Sequence, residues 1–379
     1  MNERIHKILA VSFLIIIFSI GIIFIISEKM EKNEVENRQL AVMPEFRIAK
    51  LDPFPSQFDE YFTDHFPYRN QIIKEYSKFT GRVFNKSPLP KKVVIGNDGW
   101  LYMARRCMEG FQGKTNFTES QLKSIKEELE YRRNYCAQRG IKYYFVILPH
   151  KTTIYPEYIP LRFKIGNEYT PRTQLTKYLF ENNVPFIDVT QDVLSQKQIG
   201  YLLYKKTDNH WNELGAFFGT KRVMKELKKD FPQIPYIYLE DYNITTKELK
   251  GGNIAQMLNM KEEYEDINVI LERKTPSSAK KGNKTGYEVP NGFPYGWDYE
   301  VVRVNPKVNS LKLLIIRESF GGAMIKFYQE GFGRSVSIFD AWKHKLNEDI
   351  INRENPDIVI QQVVESFLPN LLENQSASK

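Results

Sequence analysis

The longest apolar stretch of the chain lies close to its first residue. Ile8 to Ile26 (ILAVSFLIIIFSIGIIFII) holds no charged residue, and a run of this length is about what a helix needs to cross the hydrocarbon core of a bilayer. Arg4 and Lys7 precede it. Basic residues on that flank predict a cytoplasmic N-terminus, with the rest of the chain on the far side. The run is long for the apolar part of a signal peptide, and SEKMEKNEVENR behind it offers no small-x-small cleavage site. The expectation is an uncleaved anchor: residues 1–27 form a cytoplasmic tip and one transmembrane helix. No second apolar stretch of that length follows, so the protein is expected at the cell membrane as a single-pass chain with an extracytoplasmic domain.

Past the anchor the pattern changes from one long run to short alternating ones. Residues 28–60 are charged first and then contain LDPFPS, which reads as a stalk; residues 371–379 read as a polar tail. Between them, TESQLKSIKEELEYRRNYCAQRG predicts a helix. Thr118 is placed to cap it with Gln121 three residues on, Gly140 to end it, and Leu122, Ile125 and Leu129 share a face. KYYFVILP is apolar, rich in β-formers and too short for a helix, so it predicts a buried strand. VPFIDVT (184–190), LKLLIIRESF (311–320), VSIFD and PDIVIQQVVESF (356–367) repeat that signature. A helix opened by Asn212 (NELGAFFGTKRVMKELKKD) and a turn and helix from SFGGAMIKFY lie among them. Buried strands alternating with helices predict an α/β sandwich around a mostly parallel sheet, here over residues 61–370. Residues 261–305 (TPSSAKKGNKTG, PNGFPYG) break the pattern and read as an exposed insertion.

Composition narrows the class. Hydrophobic content of 42% and aromatic content of 13% exclude a disordered chain. A net charge of +8 favours anionic wall polymers, acidic polysaccharide or lipid headgroups. The charges are scattered and no nucleic-acid motif is present, so nucleic acid is not an expected partner. Cys107 and Cys136 fall on the side of the membrane where a disulfide is permitted; a bridge and two separate thiols both stay open. There is no CxxC or Cys/His cluster, and neither a metal nor another cofactor is expected.

The residues that carry chemistry follow predicted strands. In such sheets ligands bind at the carboxyl ends of the strands, which singles out PHKTTIYPEY, the TDNHW loop and RESFGG. Ser319 stands where a strand meets a glycine-containing turn, with a helix N-terminus behind it. Backbone N–H groups there can stabilise an oxyanion. A serine hydroxyl needs a base; His210 is placed to be one, and Asp208 to fix its tautomer. The alternatives are local: Asp208 and Ser319 as helix caps and His210 as a helix-opening residue. A metal reading of Asp208 and His210 needs two more ligands and finds only His65 and His150. Lys151 and Tyr155, at a strand's carboxyl edge, offer a cation and an aromatic face to a polysaccharide, or pack inside. Trp211 either packs beneath the His210 loop or stacks on a sugar. Arg317 either meets an anionic substrate or pairs with Glu318. Trp100 reads as core, and His65 and Arg69 as residues ordering the entrance to the domain.

Several stretches in matching order resemble a known family, the SGNH-hydrolase-like O-acetyltransferases of the AlgJ/AlgX type, which include the DHHW proteins. They are ENRQLAVMPEF, FDEYFTDHFPYRNQII, VIGNDGWLY, LPHKTTIYPEYIP, YKKTDNHWNELGA, GGNIAQML, RESFGGAM and PDIVIQQVVESF. The resemblance implies an SGNH-like three-layer α/β/α fold. It implies that Asp208 and His210 supply the acid–base pair and Ser319 the nucleophile, in a permuted order relative to ordinary SGNH esterases. It further implies transfer of acetyl groups onto an exported or cell-wall polysaccharide, and a polytopic MBOAT-type membrane acyltransferase as partner. Two positions depart from the pattern. Glu318 stands where the family has Asp, and GGNIA (251–255) lacks the family's acidic residue, leaving Gly252 and Asn253 as candidate oxyanion donors.

Overall fold

The computed structural model describes residues 3–29, 31–33, 38–48, 52–84, 86–164, 169–373 and 375. The chain divides into two compact units, Met1–Pro88 with Ala255–Lys261, and Leu89–Ile254 with Glu262–Lys379. In the first unit α1 (Glu3–Ile26) is long and apolar enough to cross a membrane. Two further helices follow, α2 (Pro53–Asp64), which starts on a proline whose fixed φ suits a first helical turn, and α3 (Arg69–Phe84). The entry of the chain is tied down at α2: Asp64 accepts the Ala41 N–H at 2.8 Å, and the His65 ring meets the Ala41 carbonyl at 2.9 Å. His65 therefore orders the chain, and Arg69 opens α3 in the same unit. The domain boundary expected at residue 61 falls inside α2. Parts of the expected stalk and most of the expected tail lie outside the described residues.

The second unit is built on a seven-stranded sheet. In chain order its parts are α4 (Glu119–Ala137), β1 (Lys142–Leu148), α5 (Pro171–Glu181), β2 (Ile187–Asp188), α6 (Glu213–Asp230), β3 (Tyr242–Lys250), β4 (Glu265–Arg273), β5 (Lys280–Lys281), β6 (Glu300–Val304), β7 (Lys312–Arg317), β8 (Arg334–Phe339), α7 (Glu348–Glu354) and β9 (Ile358–Val364). The sheet order is β2-β1-β9-β7-β8-β6-β5. The first five are parallel, and β6 and β5 are antiparallel. Alternate residues of β1 face opposite layers, as the period of a strand requires. Phe145 and Ile147 pack with Leu122, Ile125 and Leu129 of α4 and Leu175 of α5. Val146 and Leu148 pack with Leu214, Phe217 and Met224 of α6. Each such aliphatic or aromatic side chain stabilises the fold by about 1.5–3 kcal/mol. The result is the expected three-layer α/β/α sandwich with a mostly parallel sheet.

Local signals hold where local physics decides. Thr118 and Gln121 form the reciprocal capping box of α4, and Gly140 takes φ +73° just beyond its end. Asn212 caps α6 by accepting the N–H groups of Leu214 and Gly215. Two expectations are corrected. The strand expected over 184–190 shrinks to two residues at the sheet edge. Val184 N–H bonds back to Leu179 at the end of α5, Pro185 has no N–H to give, and Asp188 accepts the Thr190 N–H to start a new helix. Residues 261–305 are not simply an exposed insertion. β4 pairs along its whole length with β3, buries Val269 and Leu271, and β5 and β6 extend the central sheet. Cys107 and Cys136 are both buried and unbridged.

Candidate active site

The parallel strands bring the three candidate segments to one edge. β1 and β7 flank β9 and point the same way, so the turn after Leu148 and the turn after Arg317 emerge together. The TDNHW loop closes over them. A single bridge, Tyr204 to Trp211, and the bond from Asn212 N–H to the Leu203 carbonyl pinch this loop shut before α6 begins.

Three side chains line up there. The Asp208 carboxylate lies 2.7 Å from His210 Nδ1 and accepts the His210 backbone N–H at 2.9 Å. His210 Nε2 lies 2.9 Å from Ser319 Oγ. A carboxylate on one ring nitrogen sets the tautomer, so Nδ1 carries the proton and Nε2 presents its lone pair to the serine hydroxyl. Burial alone would raise the Asp208 pKa; the hydrogen bond and charge of His210, with Lys205 nearby, outweigh it and hold the carboxyl well below its ordinary range. Asp208 stays ionised at any ordinary pH.

The His210 loop is braced by groups far away in the sequence. Lys151 is wholly buried, and its ammonium donates to the carbonyls of Lys205, Lys206 and Asp208 at 3.2, 2.9 and 2.7 Å. Burial pushes its pKa down to about 7, against the pull of Asp208 and Asp266. Asp266 of β4 accepts the N–H groups of Lys206 and Thr207 and the Thr207 hydroxyl. Thr207 Oγ1 in turn accepts the Gly252 N–H at 2.7 Å, and Asp208 Oδ2 accepts the Asn253 N–H at 3.2 Å. A Cβ on Gly252 would sit 2.5 Å from that of Asp208, so only glycine lets the two segments meet. Asn209 gives its N–H to Asn253 and takes a hydrogen bond from the buried His150, whose pKa burial drives down to about 3.

Ser319 is held more locally. Ser319 opens a 3₁₀ turn, Ser319–Met324, directly after β7. Glu318 caps it, accepting the Phe320 N–H at 2.7 Å, while its other oxygen is buried with no hydrogen-bond partner. Burial pushes the Glu318 pKa up to about 7. Glu318 thus performs the turn-stabilising role that either carboxylate can fill. The indole of Trp211 joins the two halves of the site by donating to the Phe320 carbonyl at 3.0 Å, and the Phe320 ring packs against His210.

The structure brings Asp208, His210 and Ser319 together and turns the candidate substrate-contact residues inward. Lys151 and Tyr155 are buried and hold backbone: the Tyr155 hydroxyl accepts the Leu203 N–H. Trp211 is buried beneath the loop and offers no stacking face. Arg317 is buried, bonded to Ser337 and to Asp298, and touches Glu318 only at its carbonyl. The backbone N–H groups of Gly252 and Asn253 are committed to Thr207 and Asp208. Trp100 is core, stacked on Tyr158. Asp266 carried no signal in the sequence, because its partners lie about sixty residues earlier and its surroundings look like a polar loop.

A family model described as an SGNH hydrolase-like domain of the acetyltransferase AlgX matches residues 93–286, just over half of the chain. The chain is 23% identical over 325 residues to the probable alginate O-acetylase AlgJ of Pseudomonas syringae pv. tomato, covering 82% of this chain and 77% of that protein. It is 20% identical over 339 residues to the Pseudomonas aeruginosa protein of the same name, covering 82% and 79%. The structure of Bacillus cereus PatB1 superposes with a TM-score of 0.52 at 17% identity, over 76% of this chain and 98% of that one, which shows a shared fold. Matched by the family model over more than half its length, including the segment that carries the TDNHW loop, the chain belongs to the SGNH hydrolase-like, AlgX-type acetyltransferase family.

Proposed function

We propose that this chain is a Ser-His-Asp O-acetyltransferase that moves acetyl groups onto hydroxyls of an exported or cell-wall polysaccharide. The observation that carries this reading is the unbroken chain Asp208–His210–Ser319, with contacts of 2.7 and 2.9 Å. The family description and the names of the curated relatives support acetyl transfer to a polysaccharide.

His210 Nε2 takes the Ser319 hydroxyl proton as Oγ attacks the acetyl carbonyl of the donor. The N–H of Ser319, at the head of its turn, is the oxyanion donor we assign. His210 returns the proton to the leaving group, and the acetyl remains on Ser319. A sugar hydroxyl then gives its proton to His210, attacks the ester carbonyl, and departs acetylated while Ser319 regains its proton. Asp208 stabilises the imidazolium in both steps. Transfer requires that water be kept from the ester; with water as acceptor the same residues make an esterase. The anchor α1, an extracytoplasmic second unit and an MBOAT-type membrane acyltransferase that supplies acetyl complete the proposal.

The test is the intact mass of the protein after exposure to an activated acetyl ester. One added acetyl mapped to Ser319, absent from Ser319→Ala, is expected. Passage of that acetyl to an added polysaccharide distinguishes transferase from esterase. An equal adduct on Ser319→Ala, or unchanged polymer acetylation in cells carrying it, would leave the chain a non-catalytic polysaccharide-binding scaffold.

A further inference from the structure

The first unit carries large apolar side chains at its surface. Tyr68, Ile72, Tyr76 and Phe79 are 64%, 53%, 57% and 57% exposed. At the pitch of a helix Ile72, Tyr76 and Phe79 fall within an arc of about 60° on α3, and Tyr68 immediately precedes the helix. Arg69 and Thr80 flank one side of that arc, and Gln71 and Glu75 the other. A patch of large apolar groups rimmed by polar ones marks a surface that meets something other than water.

The structure also indicates what it meets. The outer end of α1 packs on α2: the Phe24 ring lies 4.8 Å from Phe62 and 6.0 Å from Tyr61. Lys29 lies 3.7 Å over the Phe24 ring and donates to the Phe24 carbonyl, as a cation does where a span leaves hydrocarbon. From Phe62 the aromatic contacts continue to Phe66 at 5.6 Å. An apolar groove of about 280 Å³ lined by Phe62, Phe66, Arg69, Ile72 and Ile73 then leads onto α3. The apolar surface is therefore continuous from the end of the span to the exposed arc. The α3 sequence RNQIIKEYSKFTGRVF holds four basic residues and one acidic residue. A basic helix of modest overall hydrophobicity with an aromatic and aliphatic face suits the headgroup region of an anionic bilayer.

We infer that α3 is an interfacial helix, lying on the outer leaflet of the membrane that α1 crosses, with Ile72 and Tyr76 at the level where headgroups meet acyl chains. This rests on the anchor reading of α1. The first unit is then seated on the bilayer at two places, the span and the α3 face, and is not a flexible stalk.

The test places single spin labels on the full chain reconstituted in phosphatidylcholine–phosphatidylglycerol vesicles, using Ile17→Cys, Ile72→Cys, Tyr76→Cys and Lys123→Cys. The parent chain, whose two cysteines are buried, serves as the blank. Collision with oxygen, which prefers lipid, is compared with collision with a water-soluble nickel complex. Labels at 72 and 76 are expected to favour oxygen several-fold more than the label at 123 on α4, where the native side chain is 70% exposed. If 17 reports lipid while 72 and 76 match 123, the interfacial helix is wrong and the anchor stands. If 17 also reports water, the anchor itself has failed and takes the inference with it. Spin–spin broadening at 72 and 76 that vanishes on dilution with unlabelled protein would assign the face to a second copy of the chain and overturn the membrane contact.

Discussion

The two halves of the candidate site are built in opposite ways. Ser319 stands at the end of β7, a strand hydrogen-bonded on both sides by parallel neighbours, and its turn is capped by the residue next to it. Asp208 and His210 stand on a loop with one isolated bridge, held by Lys151, Asp266, Gly252, Asn253 and Trp211. Ser319 is thus placed by backbone pairing, which tolerates side-chain change. His210 is placed by polar contacts from distant segments, and removing the buried Lys151 or Asp266 side chain leaves its partners unsatisfied.

Asp208→Asn should have the largest effect on that comparison. The amide keeps the shape of the site but no longer fixes the tautomer, and the rate of Ser319 acetylation should fall by about four orders of magnitude. A loss of less than tenfold would show that His210 is oriented by the loop alone. Lys151→Met should come next. It removes a buried ammonium and strands three carbonyls, so denaturant melts should show a loss of about 1–3 kcal/mol, with acetylation slowed although no group touching substrate has changed. If stability falls and the rate does not, the brace supports the fold and not the base.

Glu318→Gln probes the other half and should have the smallest effect on rate. Burial raises the folded pKa of Glu318 to about 7, above its ordinary 4.5. Its contribution is fully present below about pH 4.5, where it is protonated in both states. It is lost as pH rises through about 7, where the folded state must ionise a buried acid. By linkage the loss is at most about 3 kcal/mol. Denaturant melts of the parent and Glu318→Gln should therefore diverge between pH 4.5 and 7, the parent losing stability relative to the variant. Parallel curves would mean that Glu318 ionises without cost in the fold.

The same contrast explains what could be read in advance. The capping box at Thr118, the cap at Asn212 and the apolar strands of the central sheet rest on neighbours within a few residues or on a strand's own composition. So does the placement of Ser319 after β7. For Lys151 and Trp211 the sequence leaves sugar contact and packing both open, because a cation and an aromatic ring beside a site look alike whether they face out or in. The GGNIA segment carries no sign in the sequence that the Gly252 and Asn253 N–H groups bond Thr207 and Asp208, some 45 residues earlier. Residues 261–305 look polar and loop-like in isolation, yet they supply Asp266 and two strands of the central sheet.

The sequence by itself determined most of the elements, the apolar first helix, the class of the fold and the three residue types of the proposed triad, because period, capping and composition act over short stretches of chain. Only the tertiary structure decided that His210 reaches Ser319 and which polar groups hold it there. Hydrogen bonds to Lys151, Gly252, Asn253 and Asp266 close loops of about 45 to 60 residues. A contact of that span is specified by the packed sheet that brings its ends together, and leaves no periodic trace along the chain.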